Sequence, residues 1–238
     1  MKRMLPTFAR RINRGRAWKQ GASVMFLALA TLASTVPTRA QDTGASQAMV
    51  VLDRALAFLR AHPRVQGQFE HRYLDRDRTV DLRSRGRFAL QLPQVGITFE
   101  GDDAAPTRIA IDGTSARLLQ PREGEAPLLL SFRLDTTPLP PLLAVLDGTT
   151  PLESAFAVRR IATDDGSDVV ELRPTDAASQ VDRIWLEVAA TGAPTRLLVV
   201  DWRGATHRVT FERITTPARL PASLLAPTFP ADAILVEP

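Results

Sequence analysis

The chain has 238 residues, with 30 Lys and Arg, 26 Asp and Glu and no Cys, and a pI near 10.5. Its basic balance sits in one segment: residues 1–40 hold eight cations and no acid, leaving 22 cations against 26 acids in residues 41–238. A nucleic-acid-binding function inferred from global charge is thereby excluded, and the lack of Cys excludes disulfide scaffolds, thiolate metal sites and lipid attachment at a Cys.

Residues 1–40 read as a secretory signal peptide that is removed. A basic stretch over 1–20 precedes the apolar run GASVMFLALATLA over 21–33. That run falls short of the roughly 20 residues needed to span a bilayer. Thr38-Arg39-Ala40 then offers a small-x-small cleavage site. An uncleaved anchor is the alternative. Arg10-Arg11 lies far from the apolar run, which points to the general secretion route. Residues 41–238 are expected as one soluble domain, large enough for a core without staples.

In that domain Ser46 is placed to cap a helix from about 47 to 61, with Val51, Leu52, Ala55, Leu56 and Leu59 as its apolar stripe. Pro63 ends it. The period then changes to two. Val65, Gly67, Phe69, His71 and Tyr73 share one face of a strand. Val80, Leu82, Ser84, Gly86, Phe88, Leu90 and Leu92 share one face of the next, opposite Asp81, Arg83, Arg85 and Arg87. Leu74 to Arg78 is the turn between them. Further strands are expected at about 94–100, 107–112, 114–120, 127–134, 155–163, 168–173, 181–189, 195–202 and 205–214, and a final extended piece at about 227–236. Asp112-Gly113, Asp165-Gly166, Thr191-Gly192 and Arg203-Gly204 mark hairpins. Short helices are expected at 138–146 and 221–225. Short connections predict a meandering antiparallel sheet.

Such a sheet must cover its apolar face, and few helices are available to do so. A curved sheet around a helix could enclose an aliphatic ligand, or the same parts could pack as a dry core. The pattern alone leaves both open.

Little in the chain points to covalent chemistry. The histidines are His62, His71 and His207, with no pair at metal-ligand spacing, and no nucleophile elbow, P-loop or dinucleotide fingerprint occurs. His71 reads as a packing residue. Asp75-x-Asp77 and the acidic run 164–168 lack the terminal Glu of a calcium loop and read as turns. Glu100, Asp102 and Asp103 read as a polar loop. Trp185 and Trp202 are expected to lie in strands and pack. No catalytic residue, metal or cofactor is assigned.

The layout nevertheless resembles the LolA family of periplasmic lipoprotein carriers over about 47–237. The N-terminal helix is followed by Val65-x-Gly67-Gln68-Phe69-Glu70, similar to the family's first-strand motif. Gly86-Arg87-Phe88-x-Leu90-x-Leu92-Pro93 resembles the next strand. Ile111-Asp112-Gly113-Thr114 with Leu118-Leu119-Gln120-Pro121 resembles a family hairpin. Val170-Glu171-Leu172-Arg173-Pro174 and Phe229-Pro230 resemble later segments. The order of these motifs is more specific than any one of them.

The resemblance implies a mainly β fold: an incomplete, half-open antiparallel β-barrel with helices as a lid. It implies a monomeric periplasmic carrier in a Gram-negative bacterium, not an enzyme. Such a carrier takes lipoproteins from an inner-membrane ABC transporter, shields their acyl chains and delivers them to an outer-membrane acceptor. On this reading Val80, Leu82, Phe88, Leu90, Leu92, Ile97, Phe99, Ile109 and Ile111 line the lipid cavity. Leu52, Leu56, Leu59, Leu142, Leu143 and Leu146 form the lid. One departure stands out. Leu92 occupies the position where the family carries an inward Arg that hydrogen-bonds the lid. A carrier of another lipid, such as a glycolipid or polyene lipid, is the alternative.

Overall fold

The computed structural model describes residues 42–100, 105–133, 151–161, 167–176 and 179–237. Helix α1 is Asp42–Ala61 and leads into β1 (Val65–Leu74), β2 (Asp81–Gln91) and β3 (Gln94–Glu100). Next come β4 (Thr107–Ile111), β5 (Ser115–Arg122) and β6 (Glu125–Arg133). A short helix, α2 (Leu152–Ala155), precedes β7 (Phe156–Ile161), β8 (Asp168–Pro174) and β9 (Val181–Val188). The chain closes with β10 (Pro194–Asp201), β11 (Thr206–Thr215), α3 (Ala222–Leu225) and β12 (Ile234–Val236).

The twelve strands form one sheet in the order β12-β6-β5-β4-β3-β2-β1-β11-β10-β9-β8-β7. It is mainly β and open: β12 and β7 are its two edges. Two antiparallel meanders, β1–β6 and β7–β11, are joined by the long-range pairing of β1 with β11. That joint places Phe69 opposite Phe211 and His71 opposite Val209. One pairing departs from the expected antiparallel pattern, since β12 runs parallel to β6. The chain reaches β6 by crossing the sheet rather than by a hairpin, and this crossing sets the strand direction.

The turns follow residue chemistry. Asp112 accepts the Ser115 amide at 2.7 Å and the Thr114 amide at 3.0 Å, and Gly113 takes a φ of 97°, a region costly for other residues. Asp75 accepts the Val80 amide at 2.9 Å. Val80 therefore belongs to this turn and not to β2, contrary to its expected place on the strand face. α1 also differs from expectation. It begins at Asp42, so Ser46 lies inside it rather than capping it; residues 42–45 hold no proline to stop the helix. The expected helix at 138–146, with Leu142, Leu143 and Leu146, lies outside the described residues. So do Asp102, Asp103 and the hairpin at Asp165-Gly166.

α1 packs across β7 and β8. Ala48, Val51, Leu52 and Ala55 are buried with Leu152, Phe156, Val170, Leu172, Ile184 and Val188. An ion pair of Arg54 with Asp168 at 2.5 Å ties the helix to β8. Arg160 adds a second contact to Asp168 at 3.0 Å. The hydrogen bond from Arg54, with its charge and the Arg160 contacts, holds the Asp168 carboxyl below its ordinary pKa.

The opposite, outer face of the sheet is crossed by the chain after β11. Leu220, Leu224 and Leu225 pack on Ala89. Arg108 donates to the Thr228 carbonyl at 3.1 Å, and the Arg117 guanidinium lies 5.0 Å over the Phe229 ring. This strap needs a low place to lie. Ala89 and Gly96 are register partners, as are Gly96 and Ala110. A Cβ on Gly96 would overlap the Leu224 carbonyl. Gly96→Ala is therefore expected to lift the strap, at a cost of about 1–3 kcal/mol. Trypsin cleavage at Arg219 should accelerate while far-UV circular dichroism stays unchanged. An unchanged cleavage rate would refute the strap's dependence on that gap.

Candidate functional site

The apolar face of the sheet divides into two halves. One is the half under α1. The other spans β1 to β6 and β11, with Phe69, Phe99, Ile109, Ile111, Ala116, Leu118 and Val209 buried. Around them Phe88, Val95, Ile97, Leu130, Phe132 and Phe211 are only half-buried. Leu197 packs against both halves.

Strand register explains this second half. Ile97 stands opposite Phe88 and Ile109, and Ile109 opposite Leu118. Leu118 stands opposite Leu130. One continuous row of apolar side chains thus crosses five strands. Aromatic rings pack edge to face: Phe69 on Phe99 at 5.1 Å and Phe88 on Phe211 at 5.5 Å. These rings lie over glycines. A Cβ on Gly86 would overlap the Phe69 ring, and one on Gly67 would crowd the Phe88 ring.

The structure brings Phe88, Ile97, Phe99, Ile109 and Ile111 into this one cluster. Leu90 lies on the same face, opposite Val65 and Val95, and is half-buried. Leu82 stands opposite Tyr73, also half-buried. Leu92 follows the end of β2, half-buried, and Val80 is in the β1–β2 turn. Of the helix residues, Leu52 is buried in the other cluster, against β7–β10, while Leu56 and Leu59 are half-buried. Val95, Leu130, Phe132 and Phe211 join the lining without being expected there. Their place follows from the same alternation once β6 and β11 are put in register with their neighbours.

A polar pair interrupts the apolar face at the β1–β11 joint. His71 Nε2 is 3.2 Å from His207 Nδ1, and His71 Nδ1 is 3.2 Å from Ser84 Oγ. Both imidazoles are buried, with ring planes nearly parallel at 14°. Burial pushes the His71 pKa down to about 4. Burial, and secondarily repulsion from His71, pushes His207 down to about 3. Both are neutral near pH 7, so this row transmits hydrogen bonds and carries no charge. Each histidine sits at an apolar-face position of its strand, but their meeting depends on the β1–β11 pairing, which no local motif announces.

Other singled-out residues have structural partners. Glu100 pairs with Arg87 at 3.2 Å. Trp185 lies in β9 with Arg183 stacked on it at 5.6 Å. Trp202, expected in a strand, instead follows β10 in a turn and is 60 % exposed. Among the described residues no group of three or more His, Cys, Asp or Glu is placed to hold a metal ion. No helix among them is long and apolar enough to cross a membrane.

Comparison with known proteins places this geometry. The family model for "Outer membrane lipoprotein carrier protein LolA" matches residues 62–228. The chain belongs to that family. A sequence comparison with curated proteins found no match. Among solved structures, the chain is similar to a LolA superfamily protein from Nitrosomonas europaea. Identity is 14%, the TM-score 0.42, and 75% of this chain and 97% of that one are covered. An uncharacterised conserved protein from Thermus thermophilus gives 13% identity, a TM-score of 0.49 and coverage of 80% and 99%. The Mycobacterium tuberculosis lipoprotein LppX gives 10%, 0.41, and 73% and 98%.

The buried histidines set an acid-side stability slope. With folded pKa values lowered below 6.5, their contribution is complete above pH 6.5. It is lost as pH falls, because the unfolded chain takes up protons first. By pH 4.5 the loss should be on the order of 2 kcal/mol per histidine. The lowered carboxylates, such as Asp112 at about 2, withdraw stability only at lower pH. Urea melts from pH 7 to 4.5 should show the loss, and a His71→Leu/His207→Leu variant should flatten it. An equally steep slope in that variant would refute the assignment.

Proposed function

We propose that this LolA-family protein is a soluble carrier that shields lipoprotein acyl chains on the β1–β6 half of its apolar face. In this reading it is exported with residues 1–40 removed, acts as a monomer in the periplasm and performs no covalent chemistry. It accepts lipoproteins from an inner-membrane ABC transporter and delivers them to an outer-membrane acceptor. The observation that carries the reading is the half-buried row of Phe88, Val95, Ile97, Leu130, Phe132 and Phe211, beside a separate core that α1 already covers.

The energetics suit a carrier. A buried CH₂ is worth about 0.8 kcal/mol, so an acyl chain of about 16 carbons involves roughly 12 kcal/mol. A surface of aliphatic and aromatic side chains supplies that without polar recognition. Release requires that the protein regain part of the same energy when empty. Contacts of Phe88 with Phe211, and of Phe69 with Phe99, do this by rebuilding apolar packing in the absence of lipid. Leu92 cannot donate a hydrogen bond, so a latch through this position is replaced by such packing. The same feature keeps a second lipid class in view, glycolipid or polyene lipid, whose carrier would need a different release cycle.

The test is lipoprotein release. The purified protein is incubated with energised spheroplasts bearing a labelled triacylated lipoprotein, and the supernatant is assayed for a one-to-one complex. A soluble complex is expected, with at least a tenfold loss for Ile97→Glu at unchanged circular dichroism. No complex, when an authentic carrier works on the same membranes, would sink lipoprotein carriage. Lipid extraction from the protein purified out of expressing cells would then identify a glycolipid or polyene cargo.

A further inference from the structure

The outer face of the sheet carries a row of residues aligned by strand register. Trp185 on β9 stands opposite Leu198 on β10, then come Arg208 on β11, Arg72 on β1 and Arg83 on β2. Neighbouring strands lie about 4.8 Å apart, so three arginines stand side by side across roughly 10 Å. Like charges directly opposite on a sheet destabilise it.

One acid, Asp81, lies against this row: the hydrogen bond from Arg72, with the charges of Arg72 and Arg83, holds its carboxyl below its ordinary pKa. Asp81 is engaged by Arg72, which donates to it at 2.9 and 2.7 Å. Arg83 and Arg208 are exposed and, among the described residues, neither makes an ion pair. Further along β2 the pattern is different: Arg85 pairs with Glu70 at 2.7 Å and Arg87 with Glu100 at 3.2 Å.

The adjoining rim carries Arg76, Arg78 and Arg203 beside Asp75, Asp77 and Asp201. The β10–β11 turn brings Gly204 beside the Arg76 side chain of the β1–β2 turn. Trp202 lies in the same β10–β11 turn, 60 % exposed, with the Arg203 guanidinium 4.7 Å from its ring. Two of these carboxylates turn toward backbone amides. Asp75 accepts the Val80 amide, and Asp201 accepts the amides of Arg203 and Ala205 at 2.9 and 2.8 Å.

We propose that this corner, formed by Arg83, Arg208, Arg203 and Trp202, docks the protein on an anionic phospholipid surface. Every cation in residues 41–238 is Arg, whose planar fork matches phosphate bidentately. A row of guanidiniums suits an array of phosphates better than one small anion. An exposed indole beside cations suits the headgroup layer, where Trp and Arg both concentrate. Residues 41–238 are net negative, so the attraction is local to this corner and not a property of the whole chain. The proposal stands independently of what the apolar face carries.

The test is vesicle co-sedimentation with the purified protein, using phosphatidylcholine with or without phosphatidylglycerol. Binding is expected on the phosphatidylglycerol vesicles in low salt only, since salt screens exposed charges. Trp202 emission, followed in a Trp18→Phe/Trp185→Phe background, should shift to the blue on binding. Arg83→Glu/Arg208→Glu should lower binding at least tenfold. Arg85→Glu/Arg87→Glu makes the same charge change on the same strand and should retain most of it. Equal binding to neutral vesicles, equal loss in both variants, or absence of binding would overturn the proposal. Retention on an acidic protein without vesicle binding would overturn it in favour of a protein partner.

Discussion

Covering one apolar face is the constraint on which this molecule depends. Twelve strands about 4.8 Å apart extend to roughly 50 Å along the sheet, while a helix is only about 10 Å across and this one, of 20 residues, about 30 Å long. One such helix covers the part of the face that it crosses and no more. Here it crosses β7 and β8, and there Val51, Leu52 and Ala55 complete a dry core with Val170, Leu172 and Ile184. Among the described residues, no helix residue joins the apolar cluster across β1–β6 and β11. Its rings tilt onto one another over Gly67 and Gly86, which reduces their exposure. Among the described residues, Phe88, Ile97 and Phe132 are half-buried in the part of the face that α1 does not cross.

The outer face solves a different problem. It is charged over β1 and β2, where ladders such as Glu70 with Arg85 keep it in water. It is nearly flat along Ala89, Gly96 and Ala110, where the chain after β11 crosses it. That crossing ends in β12, which pairs with β6 at the sheet edge. Ile234, Leu235 and Val236 are exposed, so the strand serves through backbone pairing more than through burial. It removes β6 as a free edge.

Much of this arrangement is legible in the amino-acid sequence. Alternation along β2 and the turn residues Asp112-Gly113, Thr191-Gly192 and Arg203-Gly204 are local signals, and the strands lie where they point. The helical stripe of Val51, Leu52 and Ala55 likewise identifies the buried side of α1. What is not legible is non-local. The β1–β11 pairing joins residues far apart in the chain, so the His71–His207 contact and the place of Phe211 cannot be read from either strand alone. Val80 misleads because apolar parity continues into a turn that Asp75 closes through the Val80 amide. Trp202 continues the strand pattern in sequence, yet β10 ends at Asp201, whose carboxylate folds the following amides into a turn. The parity of β2–β4 gathers Phe88, Ile97, Phe99, Ile109 and Ile111 correctly on one face. Parity does not say that Leu52 covers a different half of that face, because helix placement depends on which strands it crosses.

The central claim is that one sheet face serves two purposes: a core under α1 and a lipid-contacting half across β1–β6. The most direct measurement is photo-crosslinking with an acyl chain bearing a diazirine, followed by peptide mapping. The account predicts labels on β2, β3 and β6, around Phe88, Ile97 and Phe132, with the segments around Val170 and Ile184 unlabelled. Labels concentrated on Val170, Ile184 and the buried side of α1 would contradict it, because the helix would then have to leave its core for lipid to enter.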